Sequence, residues 1–299
     1  MIALMGAAGN VGSKVAELLL EASEEVRVLQ HARDLTDLTE RGPEVVTGDA
    51  MSVDDLRTLF HGAAAALVLL PENVADPMFV EHRRTMSRAI RDALQATGVG
   101  HVVALSTVGA DLPDAPGPPG GLHGFERDLG ELETNLLVLR SAAYMDYLLA
   151  ALPMIQTQKL NGSAVKADVR FPMVATRDVA REAAERLRRR DFSGHDVKLL
   201  LGPEDVTMAE ATKAIGARLG MPDLPYAEFP PDGVKGYLVG VGMSEEVAGL
   251  LVDLQLALNE RRYLEGVHRT PESTTPTRLE DFLATALPAS TAVSAEEDG

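Results

Sequence analysis

At 299 residues with a 45% hydrophobic fraction, the chain can bury a full core as one large α/β domain or as a domain with an appended lobe; two unrelated domains fit less well. Its 28 Lys+Arg against 45 Asp+Glu give a formal net charge of -17, which repels phosphate backbones and anionic membranes and argues against nucleic acid or membrane as partners. The absence of cysteine excludes disulfides and thiolate metal sites, no metal is expected, and the start without a basic leader and the lack of about 18 uninterrupted apolar residues lead us to expect a cytoplasmic protein.

Met1 to Met5 is a short apolar run ending in glycine, and Val11, Val15, Leu18 and Leu19 then share one helical face, which reads as strand, turn and helix. Further strands are predicted at 26–29, 45–46, 63–70, 102–105 and 136–139, mostly separated by helical segments. Repeated βα units with short connections predict an α/β fold, a Rossmann-type doubly wound parallel sheet. Capping boxes are expected at Ser52 to Asp55, Thr207 to Glu210 and Thr277 to Glu280. The stretch from Asp111 to Gly121, with four prolines and three glycines, is expected to be a mobile loop before the next helix, bordering the ligand crevice. Beyond about residue 150 strands become sparse, and helices at 176–190, 207–219, 244–259 and 277–286 predict a smaller, mostly helical C-terminal substrate lobe. The expected division is a dinucleotide-binding domain over 1–150, a substrate lobe over 151–287 with some chain crossing back, and a disordered acidic tail over 288–299.

The turn after the first strand is Gly6-Ala7-Ala8-Gly9-Asn10-Val11-Gly12. Gly6 permits the tight turn, Gly9 lets backbone N–H groups approach a pyrophosphate, and Gly12 lets the helix pack closely, with the helix N-terminus facing the phosphates. Where NAD sites carry an acid about 20 residues past this turn, the chain has Gln30, His31, Ala32 and Arg33, with no acid before Asp34. NADP (NADPH) is therefore favoured over NAD, with Arg33 as partner of the 2′-phosphate. Asp49 follows the third strand and is read either as an acceptor for the adenine amino group or as a plain turn residue. Leu70 and Pro71 end the fourth strand, and Ser106 and Thr107 the fifth, so all four belong at the crevice mouth; either hydroxyl could bond a substrate carbonyl. None of the five tyrosines has a lysine four residues on, so a Tyr/Lys proton relay is excluded. His123, with Glu126 three residues later, is the candidate proton donor, and Tyr144, which follows the sixth strand and overlooks the pocket, is a further catalytic candidate.

These residues resemble the NmrA-like group of atypical short-chain dehydrogenase/reductases, which includes triphenylmethane reductases and NADPH:quinone oxidoreductases. The marks are GAAGNVG, the GPEVVTGD of 42–49, LSTVGA at 105–110, Glu126 spaced 14 residues from the Arg140 of LRSAAYMD, the Arg177-Asp178-Val179-Ala180 stretch, and Arg269-Thr270-Pro271 with Thr277 to Leu283. Members that prefer NADPH usually carry Arg at the end of the second strand, where an ungapped match gives Gln30; either Arg33 substitutes from three residues on or the preference is lost. The resemblance implies an NAD(P)H-dependent reductase that passes hydride to an electron-poor aromatic, quinone-like or polycyclic small molecule, with a homodimer allowed. The alternative it implies is a non-enzymatic dinucleotide sensor, and an isomerase or dehydratase that recycles its cofactor is a third reading.

Overall fold

A computed structural model describes residues 1–31, 38, 40–264 and 266–287. The first βα unit follows from its residues: β1 (Ile2–Leu4) is buried throughout, the chain turns at Gly6, and the helix Gly12–Glu21 lays Val15, Ala16 and Leu19 on the sheet. β2 (Val26–Gln30), β3 (Glu44–Thr47), β4 (Ala65–Val68), β5 (His101–Thr107), β6 (Asn135–Ser141) and, after a long excursion, β10 (His195–Leu200) complete a seven-stranded sheet. Every pairing in it is parallel, in the order β10-β6-β5-β4-β1-β2-β3.

Alternate strand residues feed two cores. Ile2, Leu4, Val28, Leu67 and Val103 pack with the helices Gly12–Glu21 and Thr176–Arg189, whereas Ala3, Met5, Val68, Val102 and Val138 pack with the helices Val53–Phe60, Phe79–Thr97 and Pro118–Leu129. Burial of both faces is why these strands read as unbroken apolar runs, and it makes the sheet doubly wound as expected.

From Ala143 on, the chain holds more strands than its sequence suggests. β7 (Ala143–Tyr144) pairs with β9 (Phe171–Val174), which pairs in turn with β11 (Asp205–Val206), and β8 (Asn161–Ser163) pairs with β12 (Tyr226–Glu228). These strands have two to four residues, too short for a periodic signal. β10 returns to the main sheet beside β6, and the helix Thr176–Arg189 packs on the helix Gly12–Glu21. A separate core of Met145, Ile155, Phe171, Ile215, Phe282 and Leu283 joins the helices Leu152–Gln158, Met208–Arg218 and Leu279–Ala286.

Local expectations differ in three places. Thr207 and Glu210 form the full reciprocal capping box, and Ser52 accepts from the Asp55 amide, but the Asp55 carboxylate turns to the Asp49 amide instead of closing the box. Thr277 caps nothing: Arg278 is the N-cap of Leu279–Ala286, and the Thr277 amide and hydroxyl both donate to buried Asp178 at 2.9 Å. The stretch expected as a loop to Gly121 becomes helix at Pro118, because two prolines fit the first helical positions, where no amide is needed. The segment before it is tied down, since the Tyr263 hydroxyl donates to the Pro116 carbonyl and Gly117 (φ +74°) lies against Leu250 and Leu254. The expected tail, 288–299, lies outside the described residues.

Candidate functional site

The strand order reverses between β1 and β4, so the connections leaving their C-terminal ends part there and open a crevice. Gly6 (φ +71°) makes the turn out of β1, and its carbonyl accepts from the Gly9 amide at 2.8 Å. A Cβ on Gly12 would stand 2.1 Å from that carbonyl, and one on Gly6 would stand 2.7 Å from the Leu69 side chain at the end of β4. Glycine is thus required where the turn folds on itself and where it faces the neighbouring strand. The Gly9 amide is occupied inside the turn, so the amides available to a ligand come from the start of the following helix. That helix has Val11 as N-cap and no side-chain cap; the Ser13 amide donates to the Gly9 carbonyl at 3.0 Å, and the other first-turn donors and the positive end of the dipole are left for an anion. Ala8 and Asn10 form the exposed rim, Val11 lies buried beneath, and Lys14 donates to the Asn10 carbonyl at 2.6 Å. The cradle fits a pyrophosphate.

At the β2 side, the Gly48 amide donates to the Gln30 carbonyl at 2.9 Å and His31 Nδ1 lies 3.2 Å from the Gly48 carbonyl. Arg33 lies outside the described residues. Asp49 Oδ1 accepts from the Met51 amide at 2.8 Å, and the Asp49 amide donates to Asp55 at 2.9 Å. Gly48 is needed because a Cβ there would sit 2.7 Å from that of Asp55. The Gly48-Asp49 pair is thus built into the turn, which is the plainer of its two readings.

On the far side of the crevice, Leu70 is buried and Pro71 half-buried at the end of β4. Ser106, buried at the end of β5, donates its proton to Glu126, whose carboxylate also takes two bonds from Arg140 (3.0 and 2.6 Å). In this arrangement the Ser106 hydroxyl points its proton at Glu126 rather than at the substrate carbonyl expected for it. Glu126, first by its hydrogen bonds and then by its charge, raises the Arg140 pKa. The spacing of 14 residues that marks the family resemblance is therefore an ion pair that clamps the helix Pro118–Leu129 to β6. Thr107 Oγ1 donates to the Ser141 carbonyl at 3.2 Å. His123 sits within the helix, half-buried, with Nδ1 2.9 Å from the Ala110 carbonyl; that contact makes Nδ1 the donor and leaves only Nε2 to face outward. Tyr144 is in β7, its ring centroid 5.6 Å from that of Tyr147. Burial, with the carboxylates of Glu72 and Asp146, pushes its pKa up to about 12, so the phenol stays protonated at neutral pH and can donate a hydrogen bond.

Glu72, Arg83 and Tyr147 join Tyr144 here and carried no sequence signal: Glu72 merely follows the proline that ends β4, and Arg83 occupies an ordinary helical position. Two shallow depressions lie elsewhere, one lined by Pro172, Asp205, Arg261 and Arg269 and one at the amino ends of β5 and β6. Among the described residues no group of acids and histidines could hold a metal, and no helix is long and apolar enough to cross a membrane.

A family model described as NAD(P)H-binding matches residues 6–190. A search of curated proteins finds no match. Among solved structures, the NADPH-dependent quinone oxidoreductase QOR2 of Escherichia coli, complexed with NADPH, superposes with a TM-score of 0.79 at 19% identity, covering 96% of this chain and 99% of that one. The Citrobacter sp. triphenylmethane reductase complexed with NADP(H) gives 0.79 at 19% identity over 96% and 100%. NmrA, a negative transcriptional regulator in complex with NADP, gives 0.66 at 16% identity over 95% and 90%. At these identities the likeness is one of fold, and it falls within the group that the sequence motifs resemble.

Proposed function

The chain belongs to the NAD(P)H-binding family, and from that premise we propose that it is an NADPH-dependent reductase of electron-poor aromatic, quinone-like or polycyclic small molecules. The observation that carries the reading is the cradle at the switch point, where Gly6 and Gly12 close on each other beneath an uncapped helix N-terminus. In this reading the amides after Gly9 hold the pyrophosphate, Leu70, Pro71 and Thr107 line the path of the cofactor past β4 and β5, and Arg33 meets the 2′-phosphate. When bound, the nicotinamide supplies a hydride. The chain's own residues orient the acceptor and keep water away, and Tyr144, protonated throughout, donates a hydrogen bond to an oxygen of the substrate. An acceptor that is already electrophilic needs positioning more than a strong acid.

The quinone and dye reductases that share this fold support the substrate class. A second reading, a dinucleotide sensor, is favoured by the engagement of Ser106 with Glu126 and by the fold shared with NmrA. One experiment separates them. NADPH oxidation is followed with a panel of quinones and triphenylmethane dyes, using Gly12→Ala as the control that loses dinucleotide binding while circular dichroism stays native. Turnover by the wild type alone is expected; NADPH binding without oxidation across the panel would select the sensor.

A further inference from the structure

Arg83, on the first turns of the helix Phe79–Thr97, keeps 4% of its surface exposed. Its Nε and Nη1 atoms are buried and meet no hydrogen-bond acceptor among the described residues. The Glu72 carboxylate, half exposed, stands 3.9 Å from Nη1, too far for a hydrogen bond. The Phe79 ring lies 5.0 Å from the guanidinium. On the side of the helix Pro118–Leu129 the guanidinium packs against Gly121, whose Cβ position would be 3.7 Å from Nε. Tyr147, 53% exposed, lies close enough for its phenol and the guanidinium to act on each other's charge, and its ring leans on Tyr144. Arg140, by contrast, is fully matched by Glu126. A buried guanidinium with unmet donors is costly to the fold, and a planar fork of N–H groups is the shape that a carboxylate fills with two parallel bonds.

We propose that Arg83 and Tyr147 form an anion-binding subsite at the substrate end of the crevice, with Glu72 as its resident counter-ion, so that flat aromatic ligands carrying a carboxylate or similar anionic oxygen are preferred over neutral ones. The inference rests on the proposed function only for which end of the crevice takes the substrate. With a net charge of -17 the overall field repels such ligands, so the preference has to come from a local cation. An incoming carboxylate takes the place of Glu72 beside Nη1, supplies the acceptor that this nitrogen lacks and displaces Glu72 toward solvent, while the Tyr147 hydroxyl adds a donor at the rim. Burial lowers the Arg83 pKa, yet a guanidinium starts so high that it stays charged at neutral pH.

The test is calorimetric titration of 2-naphthoate and its neutral isostere 2-naphthamide into the full chain saturated with NADP+. Naphthoate is expected to bind at least tenfold more tightly, Arg83→Gln to erase the difference, and Glu72→Gln to tighten naphthoate several-fold by removing the competing carboxylate. Equal affinities, no binding of naphthoate, or a preference that persists in folded Arg83→Gln would overturn the proposal. If Arg83→Gln does not fold, the exposed Glu72→Gln decides, and an unchanged naphthoate affinity there counts against the subsite. NADP+ is titrated first; if it does not bind, the proposed function falls, and the same comparison of probes on the bare protein still tests Arg83.

Discussion

His123 holds its Nδ1 proton against the Ala110 carbonyl, so a neutral ring has only a lone pair at Nε2 and could give a proton to substrate only as imidazolium. The bond ties the helix to the end of the β5 loop, and we expect His123→Phe to keep most of its kcat at saturating substrate. A loss of about 10²-fold or more with unchanged NADPH affinity would make it the proton donor. Arg33 carries a separate expectation at this scale. Losing a charge-assisted contact costs about 1.5–3 kcal/mol, and only NADPH has the phosphate, so Arg33→Ala should weaken NADPH by one to two orders of magnitude more than NADH. Equal losses in calorimetry would pass the role to His31, which is already anchored on Gly48.

Between elements, the connection that matters most to the crevice is the one from the helix Pro118–Leu129 to β6. Glu126 and Arg140 have side chains only 12% and 18% exposed, and Ser106 completes the cluster from β5. Removing one partner of such a pair leaves the other charge inside with only Asp111, at 3.6 Å, to answer it. Glu126→Gln is expected to lower stability by about 2–3 kcal/mol, somewhat below a fully buried pair. Urea unfolding measures the effect; a loss below about 0.5 kcal/mol would mean that the clamp acts as a weak surface pair.

For the molecule as a whole, the return of β10 to the main sheet depends on how the second half of the chain is fastened to the first. Glu182, on the helix Thr176–Arg189, meets Lys198 of β10 at 2.7 Å and Arg186 at 2.8 Å. Desolvation raises its pKa, but the hydrogen bonds and charges of these two cations outweigh it and leave it below the ordinary glutamate value. A carboxylate depressed in the folded state adds stability above its unfolded pKa, about 4.3, and that contribution is lost as pH falls through the lower folded value. Glu182→Gln should therefore cost about 1–2 kcal/mol at neutral pH, with the gap to wild type shrinking below about pH 4. A gap that is constant from neutral to acid pH would show that the charge contributes nothing.

The sequence by itself determined the start of the molecule and its class. The first strand, glycine turn and helix are legible because each depends on neighbours within a dozen residues, and the apolar strand runs report a sheet buried on both faces. It also determined that no tyrosine has a lysine four residues on, and its spacing of Glu126 and Arg140 served as a family mark without revealing the contact. Only the tertiary structure decided the rest. β10 joins the first sheet although it follows β6 by more than fifty residues, Thr277 turns from capping a helix to bonding Asp178 across the chain, and Ser106 gives its proton to Glu126 twenty residues away. Arg83 looked like any helical arginine and became a buried cation with unmet donors. Hydroxyls, carboxylates and guanidinium groups have many possible partners along a chain, and which of them meet is set by packing that places distant residues side by side, whereas a glycine whose Cβ would strike its own turn announces itself locally.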